Sequence, residues 1–280
     1  MLLRLLGDFR RAMDLSLVLD EEGIRHEVRS AGEERWELLV EETDADRAEA
    51  ALAAYERENP VPQVGRELPA PSSSAPIACR LVFFLSLLAL HVWTGPDSAG
   101  SPWFDRGSAD AAKILAGEWW RVLTALTLHA DAGHAVGNAL LGGLLLALLA
   151  RSLGPGMASA LLLVSGAGGT LLAAELVRRD FISIGASTAV FGALGALAAL
   201  PQLRRRAWVP LGAGLALLAF LGTSKRADLA GHLCGFASGA ILGAAVSLLP
   251  ALRNRAAQLA LALLSAATPV LAWVAAFRHG

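Results

Sequence analysis

Cysteine and charge are both scarce in this chain, and each scarcity closes off a class of function. The two cysteines, Cys79 and Cys234, sit in apolar runs; they are too few for a disulfide framework and lack the companions that a structural zinc site requires. Only 18% of the 280 residues are charged and the net charge is -1, so nothing points to a nucleic-acid partner. The opening MLLRLLGDFRR is broken by Arg4, Gly7 and Asp8 before an h-region of useful length, and no cleaved signal peptide is expected. What the chain has in quantity is apolar surface. At 55% hydrophobic, with that content gathered into long stretches, it falls in the membrane class.

The charge it does carry is uneven, and this divides the chain. Residues 1–60 hold many of the Asp, Glu and Arg side chains and read as a small soluble α+β domain. A helix is expected over Phe9 to Glu22 with an apolar face of Phe9, Met13, Leu17 and Val18, and WELLV, Trp36 to Val40, suggests a buried strand. A second helix starts at Thr43 or Asp44 and ends at Asn59-Pro60. Residues 61–75 form a Pro/Ser-rich linker, and residues 76–280 form the membrane domain.

Seven apolar stretches approach the ~20 residues that a helix needs to cross a bilayer: 77–94, 130–150, 157–177, 185–200, 207–222, 229–249 and 256–277. The insert between Gly95 and Arg121 carries Trp103, Phe104, Trp119 and Trp120, with Trp93 just before it, and such aromatic density suits the interfacial zone of a membrane. Arg80, Arg151, Arg204 to Arg206, Arg253 and Arg255 fall on one side of the bilayer and outnumber the Arg and Lys of the other. That excess makes their side cytoplasmic, together with the soluble domain.

Polar groups at depth in a membrane are costly and are usually paired or functional. Three segments carry them. In HADAGHAVGN, His134 and Asn138 stand four apart and share a helix face, with His129 on another face or in the lead-in turn. Interhelical hydrogen bonding accounts for that pair as readily as a site does, and no carboxylate stands at a spacing that would make a metal centre. In ISIGASTAVFGALGALAAL, a helix from Ser187 to Leu200 is only about 21 Å long at 1.5 Å per residue, shorter than the ~30 Å hydrocarbon layer. Ser187 therefore lies below the surface at a helix N-terminus, where unpaired N–H groups favour a developing anion. The preceding FISIG is then irregular backbone that must be buried in protein or line a cavity. The plainer reading is that Gly185, Gly192 and Gly195 simply permit close packing. In RADLAGHLCGFASGAILG, Gly231, Gly235, Gly239 and Gly243 recur every four residues and lay a groove for another helix. Ala189, Gly192, Ala193 and Ala196 of the Ser187 helix are suitable partners. His232 borders that groove, either as a structural histidine or as a base within reach of Ser187. Asp228 is read as an N-cap.

Taken in order, WWR (Trp119 to Arg121), HADAGHAVGN, GAST and AGHLCGFASG resemble the rhomboid family of intramembrane serine proteases, over about Trp119 to Gly243. The resemblance implies an all-α polytopic membrane protein: a six-helix rhomboid-like core with a seventh C-terminal transmembrane helix behind the small soluble domain. It implies Ser187 as nucleophile, His232 as general base, and His134 and Asn138 with the Ser187 N–H as oxyanion hole. Phe191 would lie against the dyad histidine, while Trp120 and Arg121 would be structural. No metal or cofactor is implied. The substrates would be transmembrane or membrane-anchored proteins in the lipid bilayer of a cell (inner) membrane, and the N-terminal domain would meet a regulatory partner. Two departures stand out: Thr188 occupies a position that is most often glycine, and LLARSLG lacks an acidic residue common at that place. A catalytically impaired relative that binds membrane-protein clients is the alternative, although it would tend to lose Ser187 or His232. A transporter would show repeats that are not found here, and a mere scaffold leaves the serine, histidines and asparagine unexplained.

Overall fold

The computed structural model describes residues 1–7, 9–32, 35–59, 74–177, 182–200, 209, 212, 228–246 and 248–279. All but two residues of the expected span 207–222 and most of the linker 61–75 lie outside the described residues. The chain divides into two compact units, Met1–Pro69 and Ala70–Gly280.

The first unit has the order β1 (Leu2–Leu6), α1 (Phe9–Glu21), β2 (His26–Ser30), β3 (Trp36–Val40) and α2 (Ala45–Glu58). WELLV is the central strand of an antiparallel sheet ordered β1-β3-β2, which is why its Leu38 and Val40 are buried. Both helices contribute to one core: Leu15 and Leu19 of α1 and Ala48 and Leu52 of α2 are fully covered. The face that α1 buries matches the expected one only at Val18, which packs partly against the core. Ala12, Leu15, Ser16 and Leu19 turn inward, while Phe9, Met13 and Leu17 remain exposed. The segment offers two apolar stripes at helical spacing, and the sheet takes the one with smaller side chains, with Phe9 partly covered by the Trp36 ring at 4.5 Å. At the sheet edge Arg4 grips Glu49 with two hydrogen bonds, 2.7 and 2.6 Å, and these hold the Glu49 carboxyl below its ordinary pKa.

The second unit is helical. Its long elements are α3 (Ala75–Thr94), α7 (Ala132–Leu153), α8 (Pro155–Val177), α9 (Ser187–Ala199), α10 (Leu229–Val246) and α11 (Arg255–His279), and they coincide with six of the seven expected spans. Five of them are long and apolar enough to cross a membrane, and α9 is shorter. Helix α9, with 13 residues, is covered on every side, each residue from Thr188 to Leu197 being buried. A short helix can sit at the centre because its neighbour α10 approaches it as backbone. A Cβ on Gly235 or Gly239 would strike the main-chain oxygen of Thr188 or Gly192, and one on Gly243 would lie 2.7 Å from Ala196 Cα. The four-residue repeat of α10 thus meets a four-residue repeat, Thr188, Gly192 and Ala196, on α9. Ala189, expected in that contact, turns to Gly166 of α8 instead. Gly231 lies outside the groove, and a Cβ there would meet the Asp228 carboxylate.

The insert before α7 folds into α4 (Pro102–Gly107), β4 (Ala109–Asp110), α5 (Ala111–Leu115) and α6 (Arg121–Thr124). Several of its aromatic residues also pack within the protein. Trp103 meets Trp273 and Phe277 of α11 edge-on at 4.8 Å, and Trp120 is buried against Ala272 and Ala276, whereas Trp119 is exposed. Arg121, 2% exposed, ties the insert together: it binds the Glu118 carboxylate at 2.6 Å and the Ser108 and Asp105 carbonyls at 2.9 Å each. The connection from α7 to α8, where the acidic residue is missing, is clamped from α11. Gln258 accepts the Gly156 and Met157 N–H groups and donates to Leu153 O at 3.0 Å.

Candidate active site

The segment ahead of α9 is tied to the insert at Ile182 and Ser183. Strand β5 (Ile182–Ser183) pairs antiparallel with β4, Ala109 opposite Ser183 and Asp110 opposite Ile182. Gly185 then donates to Ala125 O at 2.9 Å. Gly185 has φ +115°, a conformation that L side chains rarely adopt. A Cβ there would also lie 2.8 Å from His134 Nε2 and 3.6 Å from Asn138 Nδ2. The glycine therefore does two things: it makes the turn, and it leaves room for both polar side chains to face the start of α9.

Ser187 is the first residue of α9, with Ala186 as its cap, and it is half-buried. Its Oγ lies 2.9 Å from His232 Nε2. The imidazole is 4% exposed, and the Phe191 ring stacks on it with centroids 4.5 Å apart and planes 21° apart. Phe191 is one helical turn beyond Ser187, so a single helix supplies both the hydroxyl and the surface that fixes the ring facing it. Asp228 caps α10, its Oδ1 accepting the Gly231 N–H at 2.6 Å, which matches its expected place at a helix start.

On α7, Asp131 caps the helix by accepting the His134 N–H at 2.9 Å, and Asn138 Nδ2 donates to His134 O at 3.2 Å. The second amide hydrogen of Asn138 is left for another acceptor. Sequence reasoning had no role for His129. It is fully buried, its Nε2 accepts the Ala186 N–H at 3.4 Å, and its ring lies edge-on to His134 at 5.1 Å. The signal for it was the HADAGH spacing, which puts one histidine before the Asp131 cap and one after. Thr188 is 2% exposed, and its Cγ2 lies 2.9 Å from where a Cβ on Gly169 would stand and 3.0 Å from one on Gly235. The methyl fills a notch between two glycines of α8 and α10.

Helices that leave the water phase, a serine at the buried end of a short central helix and a histidine in contact with it define a polytopic all-α membrane protein with a serine–histidine pair. The Rhomboid domain family model matches residues 116–249, which contain Ser187, His232, His134 and Asn138. The chain is 29% identical over 148 residues to Rhomboid protease GluP of Bacillus subtilis, covering 51% of this chain and 29% of that protein. It is 33% identical over 145 residues to RHOMBOID-like protein 1 of Arabidopsis thaliana, covering 49% and 37%, and 32% identical over 131 residues to RHOMBOID-like protein 7 of the same plant, covering 44% and 42%. The chain thus spans less than half the length of these relatives. Residues 116–249 carry a rhomboid domain.

Proposed function

We propose that the chain is an intramembrane serine endopeptidase working through a Ser187–His232 dyad. The observation that carries this reading is the 2.9 Å contact between Ser187 Oγ and His232 Nε2 at the N-terminus of a buried helix. Ser187 Oγ attacks the scissile carbonyl carbon while His232 Nε2 takes the hydroxyl proton. The oxygen of the tetrahedral intermediate gains charge where the Ser187 N–H, His134 and Asn138 act as donors. Loss of one such donor typically costs about 100-fold to 1000-fold in rate. The intermediate collapses by expelling the amine, which receives the proton from His232, and leaves an ester on Ser187. Water, deprotonated by His232, then hydrolyses that ester and restores the hydroxyl. Phe191 holds the imidazole plane through these transfers, and Thr188, directed into its glycine notch, leaves the oxyanion region clear.

The substrates are membrane-anchored proteins cut within or beside their transmembrane segments. Residues 1–60 form a regulatory or docking domain on a linker, 61–75, ahead of the protease domain, 76–280. The chain resides in a cell (inner) membrane with the N-terminal domain in the cytoplasm, which the arginine distribution favours. Retention of both dyad residues speaks against a client-binding relative without activity. The test is cleavage of a model transmembrane substrate by purified protein in liposomes: Ser187→Ala abolishes it while remaining folded, and undiminished cleavage by that variant would end the proposal.

A further inference from the structure

A cavity of about 690 Å³ opens on the side of the membrane unit, between α3 and α11. Its mouth is flanked by Val82 and Val270, 65% and 62% exposed on helices that are apolar along their length. Its back wall is formed by Leu126, Leu162, Ala186 and Ala189, all buried. Ala186 is the residue before Ser187, so the cavity ends directly behind the turn that carries the proposed nucleophile.

Three properties identify what fills it. Three hydroxyls of the wall donate within the protein, Ser159 to Pro155 O at 2.9 Å, Ser265 to Leu261 O at 2.7 Å, and Thr127 to Thr124 O at 2.7 Å while accepting the Trp273 indole N–H at 3.0 Å, and the fourth, that of Ser86, stands on the exposed side of α3. A water needs two to four free polar partners, so this space does not favour water. The volume also holds only part of a spanning helix, which at about 30 Å long and 10 Å across occupies about 2,400 Å³. Finally, the mouth is continuous with the lipid-facing surfaces of α3 and α11, so the hydrocarbon of the bilayer reaches it without crossing any polar barrier.

We infer that this cleft is a binding site for a lipid acyl chain, which packs behind the Ala186–Ser187 turn and completes the apolar support of α9. The inference depends on the chain residing in a membrane and is independent of whether Ser187 is a nucleophile. A bound chain supplies dispersion contacts to the small part of Ala186 and Ala189 that borders the cleft.

The test uses full-length protein in phosphatidylcholine vesicles containing a phosphatidylcholine with a diazirine at the end of one acyl chain. After irradiation, labelled peptides are mapped by mass spectrometry. Adducts on the back wall, at Leu126, Leu162 or Ala186, are expected, because lipid on the outer perimeter does not reach buried residues. Ala262→Phe, which fills the cleft, loses those adducts, while Ala237→Phe on the exposed face of α10 keeps them. The wild-type map decides the question even where a variant folds poorly. Labels confined to outward residues such as Val82 and Val270 would overturn the inference. So would back-wall labelling by a diazirine-bearing transmembrane peptide where the lipid probe gives none.

Discussion

In Met1–Pro69 the core is made of side chains: Leu15, Leu19, Leu38 and Leu52 are fully covered, and the sheet and helices are held apart by what they carry. Between α9 and α10 of the membrane unit the contact is backbone on backbone, with Gly235, Gly239 and Gly243 against Thr188, Gly192 and Ala196. The difference follows from solvent. In water, burying a leucine is a driving force of about 1.5–3 kcal/mol. In lipid the surroundings are as apolar as leucine, so helices associate through close packing, and small residues give the closest approach. Close approach also fixes the site: a glycine-lined interface leaves Ser187 and His232 little freedom to separate.

The contrast can be broken most severely at Gly239→Val. The new side chain has only the Gly192 backbone to displace, so α9 and α10 must part. A loss of about 3 kcal/mol, at the upper end of overpacking costs, is expected. Thermal unfolding of the purified protein will show a lowered midpoint, and substrate cleavage will be lost with it; an unchanged midpoint and rate would show that the interface is not built on contact at this glycine. The counterpart in the soluble unit is Leu38→Ala, which removes a buried side chain at a cost of about 2–5 kcal/mol. For so small a domain this is enough to unfold it. Hydrogen exchange across residues 2–58 will rise while cleavage of a model transmembrane substrate continues, because the dyad draws its packing from another core. Thr188→Ala sharpens the contrast from the other side. It removes the methyl that fills the notch between Gly169 and Gly235, together with the hydroxyl, at a cost of about 1 kcal/mol in thermal stability, and the cleavage rate stays within a factor of a few. A large rate change would mean that Thr188 acts on the oxyanion region and not only on packing.

Much of the membrane unit was legible because its constraints are periodic. Apolar length marks a span, and the four-residue glycine repeat of α10 marks a close helix contact. His134 with Asn138 and Ser187 with His232 stood out as polar groups with no reason to be in hydrocarbon. What could not be read was whatever depends on a partner distant in sequence. The two-residue ladder that pins Ile182 and Ser183 to Ala109 and Asp110 has no pattern of its own. Gln258 is an ordinary polar residue until the α7–α8 turn is placed beside it. Edge strands β1 and β2 escaped notice because LLRLL does not alternate and HEVRS is mostly polar, and the inward face of α1 was misjudged because two stripes competed for one sheet. Periodicity shows that a face exists; only the neighbouring element decides which face is used.

The central claim is that His232, held by Phe191 and brought in by the glycine contact, activates Ser187. A fluorophosphonate probe tests it most directly, because the reaction requires an activated hydroxyl and leaves a covalent mark that mass spectrometry locates. The account predicts one adduct, on Ser187, in the wild-type protein and none in folded His232→Ala. Equal labelling of Ser187 in both proteins would contradict it.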